Sequence, residues 1–215
     1  TMENRKYLFN RSDFKTLPVK LEHMDISLNF LENRVEGMNV LKITARENLQ
    51  EIRLDARDLE IKSVESADGN QARPAYEYKK EESALFIKLP STVEKGRTFS
   101  LKICTTCVPT DNILEGIYKD TTPKGCPQQY MSQCQQWGFQ RILPVFDDCT
   151  AKCTMTTTIE ADARYTHLIS NGDVDRKTNP DGMPVLKAGD PSRKIIRYVY
   201  DIPMAPSLFI VCVGT

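Results

Sequence analysis

The chain has 215 residues, 40% of them hydrophobic and 27% charged, with 29 Lys and Arg against 29 Asp and Glu. That length is enough for one sizeable core. The zero formal charge argues against nucleic acid as a partner, because phosphate neutralisation drives such binding, and no stretch approaches the roughly 20 apolar residues of a membrane span.

The opening residues lack the apolar segment of a signal peptide, and Thr1 before Met2 reads as a cloning or cleavage remnant. The cysteines number 7, an odd count with no small-secreted-domain framework. The expectation is a cytoplasmic protein. Residues 1–20 read as an extended arm carrying Phe9, Phe14 and Leu17-Pro18, followed by a single β-domain over 21–215.

From there the pattern is period two, the signature of half-buried strands. Met24, Ile26, Leu28 and Phe30 share one face, and Glu32-Asn33-Arg34 is a turn. Val35 to Ala45 is the next strand, with Gly37 as a candidate bulge. Short strands follow at Ile52–Leu54 and Leu59–Val64, and Asp68-Gly69-Asn70 predicts a hairpin-type turn. Tyr76–Tyr78 and Ala84–Leu89 come next, the second ended by Pro90. After a turn at Glu94–Arg97, alternation resumes over Thr98 to Val108.

Residues 109–135 hold Pro109, Gly116, Pro123, Gly125 and Pro127 and read as an irregular, functional loop. Lys152 to Glu160 is a strand, Asn171-Gly172 a turn, and 173–190 a polar loop. Lys194 to Tyr200 alternates, and Ser207 to Val213 reads as a buried strand. No long amphipathic helix is visible. The fold class is all-β: stacked, mostly antiparallel sheets arranged like a sandwich.

Candidate chemistry is sparse. His23 and His167 are the only histidines, each in a strand-like context and neither beside a nucleophile motif. No HExxH or phosphate loop is present. Cys104-Thr105-Thr106-Cys107 lacks a second pair, which favours structural thiols over a metal site. Asp173 to Gly182 is acidic but lacks calcium-loop spacing, and reads as a solvated loop.

The informative stretch is 130–153. It holds the only Trp, consecutive amides, and Arg141 near Asp147 and Asp148. On residue chemistry alone, Arg141 and Asp147 could form an ion pair that pins a turn, and Gln135 is an amide in an unusual loop.

In this stretch Ser132-Gln133-Cys134-Gln135, then Arg141-Ile142-Leu143-Pro144, Asp147 and Lys152, stand in order. Leu114–Tyr118 precedes them; Ser170-Asn171-Gly172, Asp190–Ile195 and Pro203 to Gly214 follow. This series resembles the amino-terminal domain of the zinc aminopeptidases of the aminopeptidase N and leukotriene hydrolase group. Cys149 stands where the family usually has Pro, and Ser207 where Tyr is common.

The resemblance implies a saddle of twisted sheets that packs on a separate catalytic domain, absent from this chain, which holds HExxH and the zinc ligands. It implies that Gln135 faces the free amino end of a peptide substrate, that Gln136 borders the first side chain, and that Gln133 supports them. It casts Arg141, Pro144 and Asp147 as scaffold. No metal ligand is expected within the chain, and the isolated domain is expected to be inactive. The alternative is a non-catalytic β-sandwich scaffold or protein-interaction module.

Overall fold

A computed structural model describes residues 11–70 and 72–215. Fifteen strands carry it among the described residues: β1 (Val19–Phe30), β2 (Val35–Ala45), β3 (Leu49–Asp55), β4 (Glu60–Ser66), β5 (Ala75–Lys79), β6 (Ala84–Val93), β7 (Thr98–Cys107), β8 (Gly116–Lys119), β9 (Tyr130–Gln133), β10 (Cys153–Asp162), β11 (His167–Ser170), β12 (Asp173–Val174), β13 (Val185–Lys187), β14 (Asp190–Met204) and β15 (Val211–Gly214). The helical turns between them are short 3-10 turns.

The strands form three sheets. The largest runs β12-β14-β10-β1-β2-β7-β4, with β13 also on β14; a second runs β11-β15-β9-β8, and a third β3-β6-β5. Every strand pair is antiparallel except β1 with β10. One cluster of buried side chains draws on all three sheets, including Met24, Ile26, Leu28, Ile52, Ile87, Ile117 and Val213. Each such side chain contributes about 1.5–3 kcal/mol by leaving water.

Alternation does not run unbroken through β1. Leu21 and Met24 both face the core although three residues apart, because the register shifts between Leu21 and His23. That bulge absorbs one residue and restores the phase. The first strand begins before residue 21, since Val19 and Lys20 already pair with Ala45 and Thr44. Phe9 lies outside the described residues.

Other expectations are corrected. Gly37 is not a bulge: it pairs regularly with Leu28 and Thr105. It serves close approach instead, because a Cβ there would lie 2.6 Å from Leu143 Cδ2. Asp68–Asn70 turns, but β4 and β5 belong to different sheets, so it makes no hairpin. Pro90 does not end β6; it sits past the last β5 partner and within the irregular register between Lys88 and Val93, where a missing N–H costs little.

The 109–135 segment contributes β8 and β9, so it is partly ordered sheet. Within 173–190, β12 and β13 edge the large sheet, and fully buried Asn179 bonds Met183 O, Ile195 O and the Arg197 N–H. Ser207 to Val213 is strand only from Val211. Pro206–Leu208 is a 3-10 turn, and Leu208 and Ile210 are exposed.

Candidate functional site

Strand β9 delivers the glutamine-rich segment. The Ser132 hydroxyl is buried and accepts the Val211 N–H at 2.8 Å, which ties β9 to β15. Past Gln133 the chain folds back, and the Gly138 N–H donates to Cys134 O at 2.9 Å. A Cβ at Gly138 would stand 2.0 Å from Gln133 O, so only glycine closes this turn. The Gln135–Gln136 peptide is cis. Cys134 is buried beneath the turn, and burial pushes its thiol well above the usual range.

Gln133, Gln135, Gln136 and Trp137 are exposed, Trp137 at 56%. Among the described residues, none of the three glutamine side chains hydrogen-bonds to another group of the protein. Each therefore presents a free carbonyl acceptor and a free amide donor.

Behind the turn, residues 139–147 form a plug that grips the rest of the fold. Phe139 is fully buried and meets Phe209 edge-on at 5.1 Å. Arg141, at the end of the Phe139–Arg141 3-10 turn, donates from Nε to Glu115 at 3.0 Å and from Nη1 to Asp58 at 2.6 Å. It does not pair with Asp147. The two side chains diverge because Arg141 reaches the loops before β4 and β8, while Asp147 turns back on Gln140.

Asp147 Oδ2 accepts from Gln140 Nε2 at 3.1 Å and from the Gln140 N–H at 3.4 Å. Its own N–H donates to Asp55 Oδ2 at 2.9 Å, beside a backbone bridge between Asp55 and Val145. Burial raises the Asp147 pKa to about 6; the Gln140 bonds oppose this, and the Asp55 and Asp148 charges add to it. The Pro144 carbonyl accepts from Asn39 Nδ2 at 3.2 Å, in the core face of β2. Arg141, Pro144 and Asp147 thus fasten the plug at three separate places.

Asn171 performs a similar task opposite. Its side chain donates to Leu208 O at 3.1 Å and accepts the Ile210 N–H at 2.8 Å. Gly172 follows with φ 95° and no room for a Cβ, which would lie 2.3 Å from Val199 O. Gly116 pairs with Gln133 across β8 and β9, and Ser132 binds Val211. The segments before β8, after β9 and before β15 therefore emerge at one end of the second sheet. Exposed Ile113, Leu114, Trp137, Leu208 and Ile210 lie on these segments.

The histidines are apart from this end in role. His23 lies between Thr154 Oγ1 at 2.7 Å and Thr156 Oγ1 at 3.3 Å, and burial lowers its pKa. His167 is exposed beside Thr166. Cys104 and Cys107 are free thiols, as are the other cysteines, and burial pushes Cys107 up to about 12. Asp175 caps its own loop through the Lys177 N–H and Thr178 hydroxyl. Among the described residues no group of three or more His, Cys, Asp and Glu side chains is placed to hold a metal ion. The described residues do not fit a zinc site.

Sequence reasoning did not find Asn39, Asp55, Asp58 or Glu115. Asn39 had a signal: it is the one amide among Val35, Gly37, Leu41 and Ile43 on the core parity of β2. The carboxylates had none, being acids in turns or on strand surfaces.

Residues 18–187 match the model of the peptidase M1 N-terminal domain. The chain belongs to that family. A probable M1 family aminopeptidase 1 from Encephalitozoon cuniculi is 26% identical over 198 residues, spanning 90% of this chain and 21% of the relative. A second probable M1 aminopeptidase of that organism is 25% identical over the same length and share. A variant of the M1 zinc metallopeptidase from Deinococcus radiodurans superposes with a TM-score of 0.75 at 18% identity, covering 92% of this chain and 42% of that one. A variant of it bound to a Tyr-Ser-Ala substrate gives 0.74 at 18% identity, with 92% and 42% covered. This M1 domain thus spans about a fifth of its curated relatives' length. No helix among its described residues is long and apolar enough to cross a membrane.

Proposed function

We propose that this M1 domain forms the amino-end wall of the peptide site in a zinc aminopeptidase that removes single residues from peptide amino ends. Gln135 supplies a carbonyl oxygen to the substrate ammonium, Gln136 borders the first side chain, and Gln133 supports the pair. The observation that carries this reading is the set of three exposed glutamines with no internal partner, held on a turn that only glycine can close.

An acceptor built for an ammonium discriminates against chains that lack one, because the site amide is then left unpaired when water is excluded. Arg141, Pro144 and Asp147 keep the turn from shifting, which is how remote groups protect a reactive geometry. The zinc, polarising a carbonyl and activating water when bound, would be held by residues outside this chain. The apolar end of the second sheet supports docking of that catalytic part beside the glutamines. The free thiols support a reducing, cytoplasmic compartment.

The test is kinetic, on the protein that carries this domain together with its metal-binding part. Gln135→Ala is expected to lower kcat/KM for unblocked peptides by about tenfold to a hundredfold. An unchanged kcat/KM would overturn the assignment. The isolated domain is expected to be inactive and to hold no stoichiometric zinc; peptide hydrolysis by it that survives a chelator would overturn that part.

A further inference from the structure

A second site lies away from the glutamines, where the ends of β1, β10 and β14 meet β9. A cavity of about 210 Å³ opens there, lined among others by Glu32, Tyr130, Asp162, Arg164, Tyr165 and Arg193. Two carboxylates and two guanidinium groups thus converge on one small space, so their formal charges cancel.

The walls are fixed. Arg193 Nη2 donates to Phe30 O at 2.8 Å and to Asn29 Oδ1, and stands 3.9 Å from Glu160. The Tyr165 hydroxyl donates to Gln128 O at 2.6 Å, and the Tyr130 hydroxyl to Glu32 O at 3.5 Å. Both hydroxyls are thus engaged, and the two tyrosines line the cavity with their ring surfaces.

The rim charges are loosely held. The Arg164 guanidinium stands 3.8 Å from Asp162 and lies over the Tyr165 ring at 5.4 Å, while the Arg164 N–H donates to Asp162 Oδ1 at 2.9 Å and leaves Oδ2 to the cavity. The Glu32 carboxylate makes no ion pair among the described residues. An exposed cation and an exposed anion therefore flank one concave space, each with unused hydrogen-bonding capacity.

A ligand carrying only a carboxylate would meet Arg164 and Arg193 but also Glu32 and Asp162. A simple amine would meet the reverse conflict. A zwitterion satisfies both pairs. The volume falls below the roughly 300–1,000 Å³ of drug-sized sites, which fits a single residue rather than a peptide.

We infer that this cavity is a binding site for a free α-amino acid, its carboxylate on Arg164 and Arg193 and its ammonium on Glu32 and Asp162. The inference stands independently of the reading of Gln135. Under that reading the ligand is of the same class as the reaction product.

The test uses the purified chain and L-leucine, titrated to about 10 mM and followed by heteronuclear NMR. Saturable shifts are expected around Tyr130 and Tyr165. Acetate and butylammonium, each carrying one half of the charge, are expected to bind at least about tenfold more weakly. Arg164→Ala and Glu32→Gln each change an exposed side chain and are expected to retain the wild-type circular dichroism while losing about tenfold in affinity. No saturation by leucine, equal binding of acetate, or wild-type affinity in both variants would each overturn the site. Because hydrolysis is not measured, failure here is separable from failure of the Gln135 assignment.

Discussion

Asn39 in β2 and Pro144 in the plug, 105 residues apart, are joined by one buried hydrogen bond of 3.2 Å from the Asn39 amide to the Pro144 carbonyl. It ties the segment behind the glutamine turn to the middle of the large sheet. The other amide atom, Oδ1, is buried without a partner.

Asn39→Ala is therefore expected to destabilise the domain by about 1–3 kcal/mol, leaving the Pro144 carbonyl unpaired. Asn39→Asp is expected to cost more, because it buries a charge where a donor is needed. Urea midpoints of the two variants against wild type check the order; a neutral Asn39→Asp would contradict it.

Gly138→Ala is expected to be among the more damaging single-methyl changes. The new Cβ would stand 2.0 Å from Gln133 O and 2.8 Å from Cys134 Cα, both backbone atoms that cannot step aside. A loss of about 2–4 kcal/mol is expected. The control is Gly69→Ala, at a turn with open space and φ 85°, where only conformational strain of about 1 kcal/mol applies. Thermal melts of both variants give the comparison.

Asp147 sets a pH dependence whose sign is unusual for a carboxylate. Its folded pKa of about 6 lies above the ordinary 3.8, so the native state binds the proton more tightly than the unfolded chain. Its contribution costs stability at neutral pH and is relieved as pH falls through about 6 toward 4. Asp147→Asn, which keeps an acceptor for Gln140, is expected to raise stability at pH 7 by about 1–3 kcal/mol and to flatten the profile between about pH 4 and 7. Denaturation across that window is the check.

Arg141 holds Glu115 and Asp58 through different nitrogens. Its side chain is 11% exposed, but Asp58 is 73% exposed and well screened. Arg141→Ala is expected to cost about 1–2 kcal/mol, and Arg141→Lys to recover only part, since one ammonium cannot span both carboxylates. A measurable salt dependence in wild type that disappears in the alanine variant would confirm the electrostatic share.

Strands with one dry face were legible in the sequence. The period-two runs of β1, β2 and β7 follow directly from burying Met24, Leu41 and Ile103 on one side. What eluded local reading was pairing. Asp68-Gly69-Asn70 has hairpin chemistry, yet the strands it separates join different sheets. Short strands such as β8, among glycines and prolines, take their order from neighbours rather than from composition. In the candidate site, the exposed glutamines could be named from motif order. Their supports could not, because a carboxylate such as Asp55 acts through a contact 92 residues away.

The parallel pairing of β1 with β10 has a consequence for synthesis. β1 lies between β2 and β10 in the largest sheet, and its second neighbour begins at Cys153. A chain emerging from the ribosome can pair β1 with β2 early, but one side of β1 stays open until more than a hundred further residues have been made. An open strand edge of that length is a template for pairing with other chains. Truncations ending before β10 are therefore expected to aggregate rather than to fold as smaller domains.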